Sequence, residues 1–140
     1  MTDFVDGTAH SLPVRVYYQD TDAGGVVYHA TYLNFAERAR TEFLRERGFE
    51  MAELYGQRGL VFTIRHISAD YAAPARLDDA LVVKSAVTQI GGASFTAVQK
   101  IMRGDEMLCG LTVQLVLVGE TGRPVRIPGD IRAALETPHL

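Results

Sequence analysis

At 140 residues, with 47% apolar side chains and a formal charge of −3 at pH 7, the chain has room for one domain with a sizeable core and is short for two nucleotide-binding halves. The mildly acidic balance excludes the basic excess expected of a nucleic-acid binder. No run of about eighteen apolar residues occurs, and MTDFVDGTAHSLP lacks a basic region followed by an apolar core, so neither a membrane span nor secretion is expected.

Residues 1–12 are expected to form a polar tail, 13–132 the domain and 133–140 a second tail. Val14, Val16 and Tyr18 alternate with Arg15, Tyr17 and Gln19, the period of a half-buried strand. The loop Asp20-Thr21-Asp22-Ala23-Gly24-Gly25 follows at once. Over residues 31–47 the period lengthens, and Tyr32, Phe35, Ala36, Ala39, Phe43 and Leu44 fall on one face of a helix. Thr31 reads as its N-cap and Gly48 as its C′ stop. Arg38 with Glu42, and Glu42 with Arg45, have the spacing to pair on its outer face.

A weaker helix is expected over 51–55, then strands over 60–71, 80–90, 94–103 and 106–118. Gly91-Gly92 and Gly104-Asp105 have the length of tight hairpin turns with positive φ. The stretch from Ala73 to Asp78, with Pro74 in it, breaks the first two of these strands apart. Cys109 lies within the last strand and is the one cysteine of the chain. A single cysteine excludes an internal disulfide and suits the reducing cytoplasm, and Cys109 itself reads as a small buried residue. One long helix and a meander of long strands predict an α+β fold in which the sheet curves around the helix. In the last strand Leu111, Val113, Leu115 and Leu117 face one way, yet Val116 and Val118 face the other. Apolar residues on both faces predict a homo-oligomer.

The acidic loop admits several readings. Asp and Gly collect in ordinary turns. A calcium loop also begins D-x-D, but counting from Asp20 puts Gly24 fifth and Thr31 twelfth, where oxygen ligands are needed. An aspartyl-phosphate enzyme needs a parallel α/β core, which a meander does not supply. Gly24-Gly25 lacks the spacing of a dinucleotide fingerprint or a P-loop. Another reading uses both halves of the segment: a helix N-terminus polarises a carbonyl through free N–H groups, while a neighbouring carboxylate attacks it or activates water.

The stretch Tyr18-x-Asp20-Thr21-Asp22-Ala23-Gly24-Gly25-Val26-Val27-Tyr28-His29-x-x-Tyr32-x-x-x-x-Glu37-x-Ala39-Arg40 resembles the signature of hotdog-fold acyl-CoA thioesterases, in the YbgC branch related to 4-hydroxybenzoyl-CoA thioesterase. Gly122-Arg123-Pro124-Val125-Arg126-Ile127-Pro128 is similar to the family's terminal segment. The resemblance covers residues 12–130 and implies a hotdog fold of about five antiparallel strands around one long central helix. It also implies sites formed between the protomers of a dimer or tetramer. By the resemblance, Asp22 is the catalytic carboxylate, as nucleophile or general base, and the backbone N–H of His29 polarises the thioester carbonyl. The His29 side chain is either a loop histidine held by hydrogen bonds or an aid to Asp22 and the leaving thiolate. Gly25, Val26 and Tyr28 border the substrate, as do the hydroxyls of Tyr18 and Tyr32, themselves packing residues. Glu37 belongs to the pattern as well, with an ion pair to an arginine as its expected role, and Asp20 is expected to cap the turn. Aliphatic acyl groups are favoured over aromatic ones.

Coenzyme A carries phosphates that call for arginine or lysine. Arg65, Arg123 and Arg126 are candidates, and Arg126 is the one taken here. No metal or cofactor is expected, and His10, His29, His66 and His139 have no ligand spacing. The expected reaction is hydrolysis of acyl-CoA, with acyl carrier protein thioesters as an alternative substrate. Two other readings stand beside it: an enoyl-thioester hydratase of the same fold, and a non-catalytic acyl-CoA-binding or docking module. By the resemblance, relatives lie beside the Tol-Pal cell-envelope genes, which implies envelope or lipid-synthesis proteins as partners of such a module.

Overall fold

The structure is a computed structural model and describes residues 9–136; the outer parts of both expected tails lie outside the described residues. Five strands form one antiparallel sheet: β1 (His10–Arg15), β2 (Val61–Tyr71), β3 (Ala80–Ile90), β4 (Ser94–Arg103) and β5 (Glu106–Val118). Their order across the sheet is β1-β3-β4-β5-β2, so β1 and β2 are the edges. Helix α1 (Thr31–Glu46) lies on the concave face, α2 (Met51–Arg58) follows it, and α3 (Gly129–Glu136) comes after the last strand. This is the hotdog arrangement that the resemblance implies. Among the described residues no helix is long and apolar enough to cross a membrane.

The core forms where the helical stripe meets alternate strand positions. Phe35, Ala36 and Ala39 of α1 are 1% exposed or less, and so are Leu81, Val83, Ile101, Val113 and Leu117 of the sheet. Two alanines at the contact let the helix backbone approach the sheet closely. Burying a side chain such as Phe35 contributes roughly 1.5–3 kcal/mol. Contacts of α1 go chiefly to β3, β1 and β4. β2 is met instead by the shorter α2, which leaves Ile64 and Tyr71 45% and 48% exposed. A bulge between Ile64 and His66 shifts the pairing of β2 with β5.

The bounds of β3, β4 and β5 match the sequence pattern, but several local expectations are corrected. Only Gly104 of the two hairpin turns takes a positive φ, 59°; the other turn closes by Gly91 N–H donating to Ser94 O at 2.7 Å. β1 begins at His10, inside the expected tail, and stops at Arg15. The chain then coils into a 3₁₀ turn over Tyr18–Asp20, because the Asp20 carboxylate takes the Tyr17 N–H. Ala30, with no side-chain cap bond, precedes α1, and Thr31 is the first helical residue rather than the N-cap. Gly48, at φ 94°, ends the helix as expected. Arg45 pairs with Glu42 at 2.9 Å, whereas Arg38 lies 5.9 Å from the Phe35 ring centroid. The expected tail from residue 133 contains the last turn of α3, whose Ile131 and Leu135 are buried one turn apart.

Candidate active site

The acidic loop is a small hairpin. Thr21 bridges Val27, Asp22 N–H donates to Val26 O at 2.9 Å, and Gly25 N–H returns to Asp22 O at 3.1 Å. Gly25 turns the chain at φ 81°. Gly24 N–H donates to Asp22 Oδ1 at 2.8 Å, and a Cβ on Gly24 would stand 3.2 Å from that oxygen. The glycines thus fix one oxygen of the carboxylate. The second, Oδ2, has no hydrogen-bond partner among the described residues, and Asp22 is exposed. Asp20 behaves differently: Oδ2 accepts the Tyr17 N–H at 2.8 Å, and its carbonyl accepts the Tyr28 N–H at 2.9 Å. It holds the turn, as expected of a cap.

Beneath the hairpin lies the segment between β2 and β3. Val26 bridges Arg76 and Val27 N–H donates to Ala75 O at 2.9 Å. Arg103 clamps the segment by donating to Pro74 O at 3.2 Å and Asp79 Oδ2 at 2.7 Å. The Arg76 N–H and the Arg103 guanidinium hold the Asp79 carboxyl below its ordinary range. The Tyr32 hydroxyl accepts the Ala75 N–H at 2.9 Å, and Tyr32 is 3% exposed. That overturns the expectation of a hydroxyl bordering the substrate, because the segment beneath the loop has claimed it. Burial raises its pKa.

At the entry to α1 the Tyr28 N–H goes to Asp20 O and the Thr31 N–H to Tyr28 O. The N–H of His29, between them, has no partner among the described residues. Its carbonyl accepts the Tyr71 hydroxyl at 3.1 Å. The His29 imidazole lies 4.4 Å from the Tyr28 ring and 6.3 Å, edge-on, from Tyr71, and it makes no hydrogen bond to Asp22. Tyr71 was not singled out in the sequence. It sits at the end of β2, and nothing local marks its contact with a loop 42 positions away.

Other expected residues fall elsewhere. Tyr18 is 83% exposed, which corrects its reading as a packing residue; the 3₁₀ turn points it outward. Glu37 lines a cavity of about 440 Å³ between α1, α2 and β2. Arg40, three residues along α1 from Glu37, donates to Gln99 Oε1 at 2.9 Å, so the expected ion pair is replaced by a hydrogen bond into the core. Arg126 stands by Gly92, at the opposite end of β3 from the hairpin, about 30 Å away by strand rise. Within one chain it cannot meet a substrate held by Asp22. Burial pushes the Cys109 thiol up to about 11, so it is no nucleophile. No group of three His, Cys, Asp or Glu side chains converges among the described residues.

An open carboxylate oxygen beside an unclaimed backbone N–H at a helix entry is suited to acyl transfer, since one group supplies a base or nucleophile and the other a donor to an oxyanion. Comparison with known proteins agrees. The family model for the thioesterase superfamily matches residues 24–110. The acyl-CoA thioesterase YbgC of Haemophilus influenzae is 46% identical over 126 residues, 89% of this chain and 92% of that protein. The acyl-CoA thioester hydrolase YbgC of Escherichia coli O6:H1 is 47% identical over 110 residues, 79% and 81% of the two chains. A probable thioesterase from Bartonella henselae of known crystal structure superposes with a TM-score of 0.83 at 41% identity, covering 86% of this chain and 99% of that one. With this fold, this hairpin and these relatives, the chain belongs to the thioesterase superfamily, in its YbgC group.

Proposed function

We propose that the protein hydrolyses acyl-CoA thioesters to the free acid and coenzyme A, with acyl carrier protein thioesters as alternative substrates. The observation that carries this reading is Asp22, pinned through Oδ1 by Gly24 with Oδ2 open, beside the unclaimed N–H of His29. The thioester oxygen sits against that N–H. Asp22 Oδ2 takes a proton from water, the hydroxide adds to the carbonyl carbon, and the oxyanion is stabilised at the helix entry. Collapse breaks the C–S bond, and the thiolate recovers the proton from Asp22. In the nucleophilic variant Oδ2 adds to the carbonyl carbon and the C–S bond breaks to expel the thiolate; water then cleaves the mixed anhydride, returning the Asp22 carboxylate and the acid, with the proton passing to the thiolate. Neither route uses a metal or a cofactor beyond the substrate's own coenzyme A. Single turnover in ¹⁸O-water separates the two, because only the anhydride route can place the label in Asp22. Thiol release across a panel of acyl-CoAs tests the function; loss of enoyl absorbance without thiol would indicate a hydratase, and binding alone a docking module.

The site works between two copies in this reading. Edge strand β2, with Ile64 and Tyr71 half exposed, invites an isologous pairing. Two β2 strands crossing antiparallel would set the Tyr71 end of one protomer, beside His29, against the Val61 end of the other, beside the 440 Å³ cavity. The same pairing carries the partner's Arg126 toward the open end of the site, where it would hold a coenzyme A phosphate in trans. Tyr28 and Tyr18, both exposed, would then border the substrate with Gly25 and Val26. A cytoplasmic setting accords with the buried thiol of Cys109.

A further inference from the structure

The hydrolase mechanism makes no use of a polar cluster beneath α1. Gln99 of β4 is fully buried, and its Nε2 donates to Ala36 O and to Ser85 Oγ, both at 2.9 Å. Those two bonds fix the amide orientation and aim Oε1 at the Arg40 guanidinium, which donates to it at 2.9 Å. Arg40 is thereby held in place, yet it has five N–H donors and no carboxylate paired with it among the described residues. Burial works against its charge, while Glu37, one turn earlier, supports it. Arg40, Glu37 and Thr41 form the polar corner of the 440 Å³ cavity, whose remaining wall is apolar: Leu44, Met51, Phe62, Ile64 and Leu115 are part of it.

Arg40 is half-buried and Glu37 is exposed, so water can reach the spare guanidinium hydrogens in the open cavity; a ligand that displaces that water is costly unless it supplies an acceptor. A saturated hydrocarbon tail filling this cavity would strip water from the guanidinium and return nothing. A carboxylate would meet Glu37. A hydroxyl suits both, accepting from Arg40 and donating to Glu37. We propose that Arg40 is a specificity-determining residue that receives a hydroxyl at the distal end of the acyl chain, so that the preferred substrates are ω-hydroxyacyl thioesters; this rests on the hydrolase reading above.

The test compares thiol release from hexanoyl-, octanoyl- and decanoyl-CoA with that from their ω-hydroxy counterparts, in the wild type, Arg40→Met and Arg40→Lys. The kcat/KM ratio of each pair within one enzyme is independent of how much of a variant folds. At one chain length or more the wild type should favour the hydroxy substrate by about tenfold, Arg40→Lys should keep part of that preference, and Arg40→Met should bring the ratio to about one. A wild-type ratio of one at all three lengths overturns the proposal, as does an unchanged ratio in Arg40→Met. Should Arg40→Met not fold, the wild-type and Arg40→Lys ratios decide the matter. If no thioester releases thiol, the hydrolase reading fails by itself, and calorimetric Kd ratios for the same pairs still report on Arg40, equal affinities overturning its role.

Discussion

The two halves of the concave face are built for different ends. Over β1, β3 and β4 the helix α1 is closely packed, and Phe35, Ala36 and Ala39 are essentially inaccessible. β2 is met by the shorter α2 rather than by α1, Ile64 and Tyr71 are half exposed, and a cavity of about 440 Å³ adjoins it. The covered half supplies the burial that makes one chain fold. The open half has apolar surface left for a second copy and for an acyl chain, so stability and activity should respond to separate substitutions.

The largest effect on stability is expected in the covered half. Phe35→Ala should cost about 3–5 kcal/mol in urea unfolding, from lost transfer energy plus a cavity. A loss below about 1 kcal/mol would show that the halves are not so different. In the open half Ile64→Lys should leave a folded chain, since the side chain is 45% exposed, yet yield monomers by light scattering and lower thiol release by about 10²-fold. A fully active monomer would remove the two-chain site. Asp79→Asn should cost about 1 kcal/mol at pH 7 through the segment beneath the hairpin. Because Asp79 is held below the ordinary carboxylate range by Arg76 N–H and Arg103, its contribution is present above that range and lost as pH falls through its folded value. The gap between wild type and variant should therefore close in acid; a constant gap would contradict the assignment. The smallest effect belongs to Arg126→Ala, which should raise KM for acyl-CoA several-fold with kcat nearly unchanged if the partner's arginine holds a phosphate. An unchanged KM would exclude it.

How far the sequence carried differed between the same two regions. β3, β4 and β5 were legible to the residue because alternation and glycine-containing turns agree with each other there. β1 was read too long: Val16 and Tyr18 keep the alternation past Arg15, but the Asp20 carboxylate competes for the backbone and wins. α3 was missed, although Ile131 and Leu135 stand at helical spacing with an acidic residue, Asp130, in the first turn. At the site, the hairpin and the helix entry were visible as one contiguous stretch. Tyr71, the Arg103–Asp79 clamp and the Gln99–Arg40 bond were not, since each joins positions 24 to 59 residues apart. Glu37 was expected to pair with an arginine, and only the packed sheet reveals that Gln99 takes Arg40 inward.

The central claim is that the open oxygen of Asp22 performs the chemistry while Asp20 merely holds the turn. Asp22→Asn preserves size and an oxygen for Gly24 N–H but removes the charge. Measured by thiol release under saturating acyl-CoA, with melting temperature and substrate affinity followed in parallel, kcat should fall by roughly 10²–10⁴ with folding and binding retained. Asp20→Asn, which keeps an acceptor for Tyr17, should lose far less. If Asp22→Asn hydrolysed thioesters at the wild-type rate with an unchanged melting temperature, the acidic hairpin would be an ordinary turn, contradicting this account of catalysis.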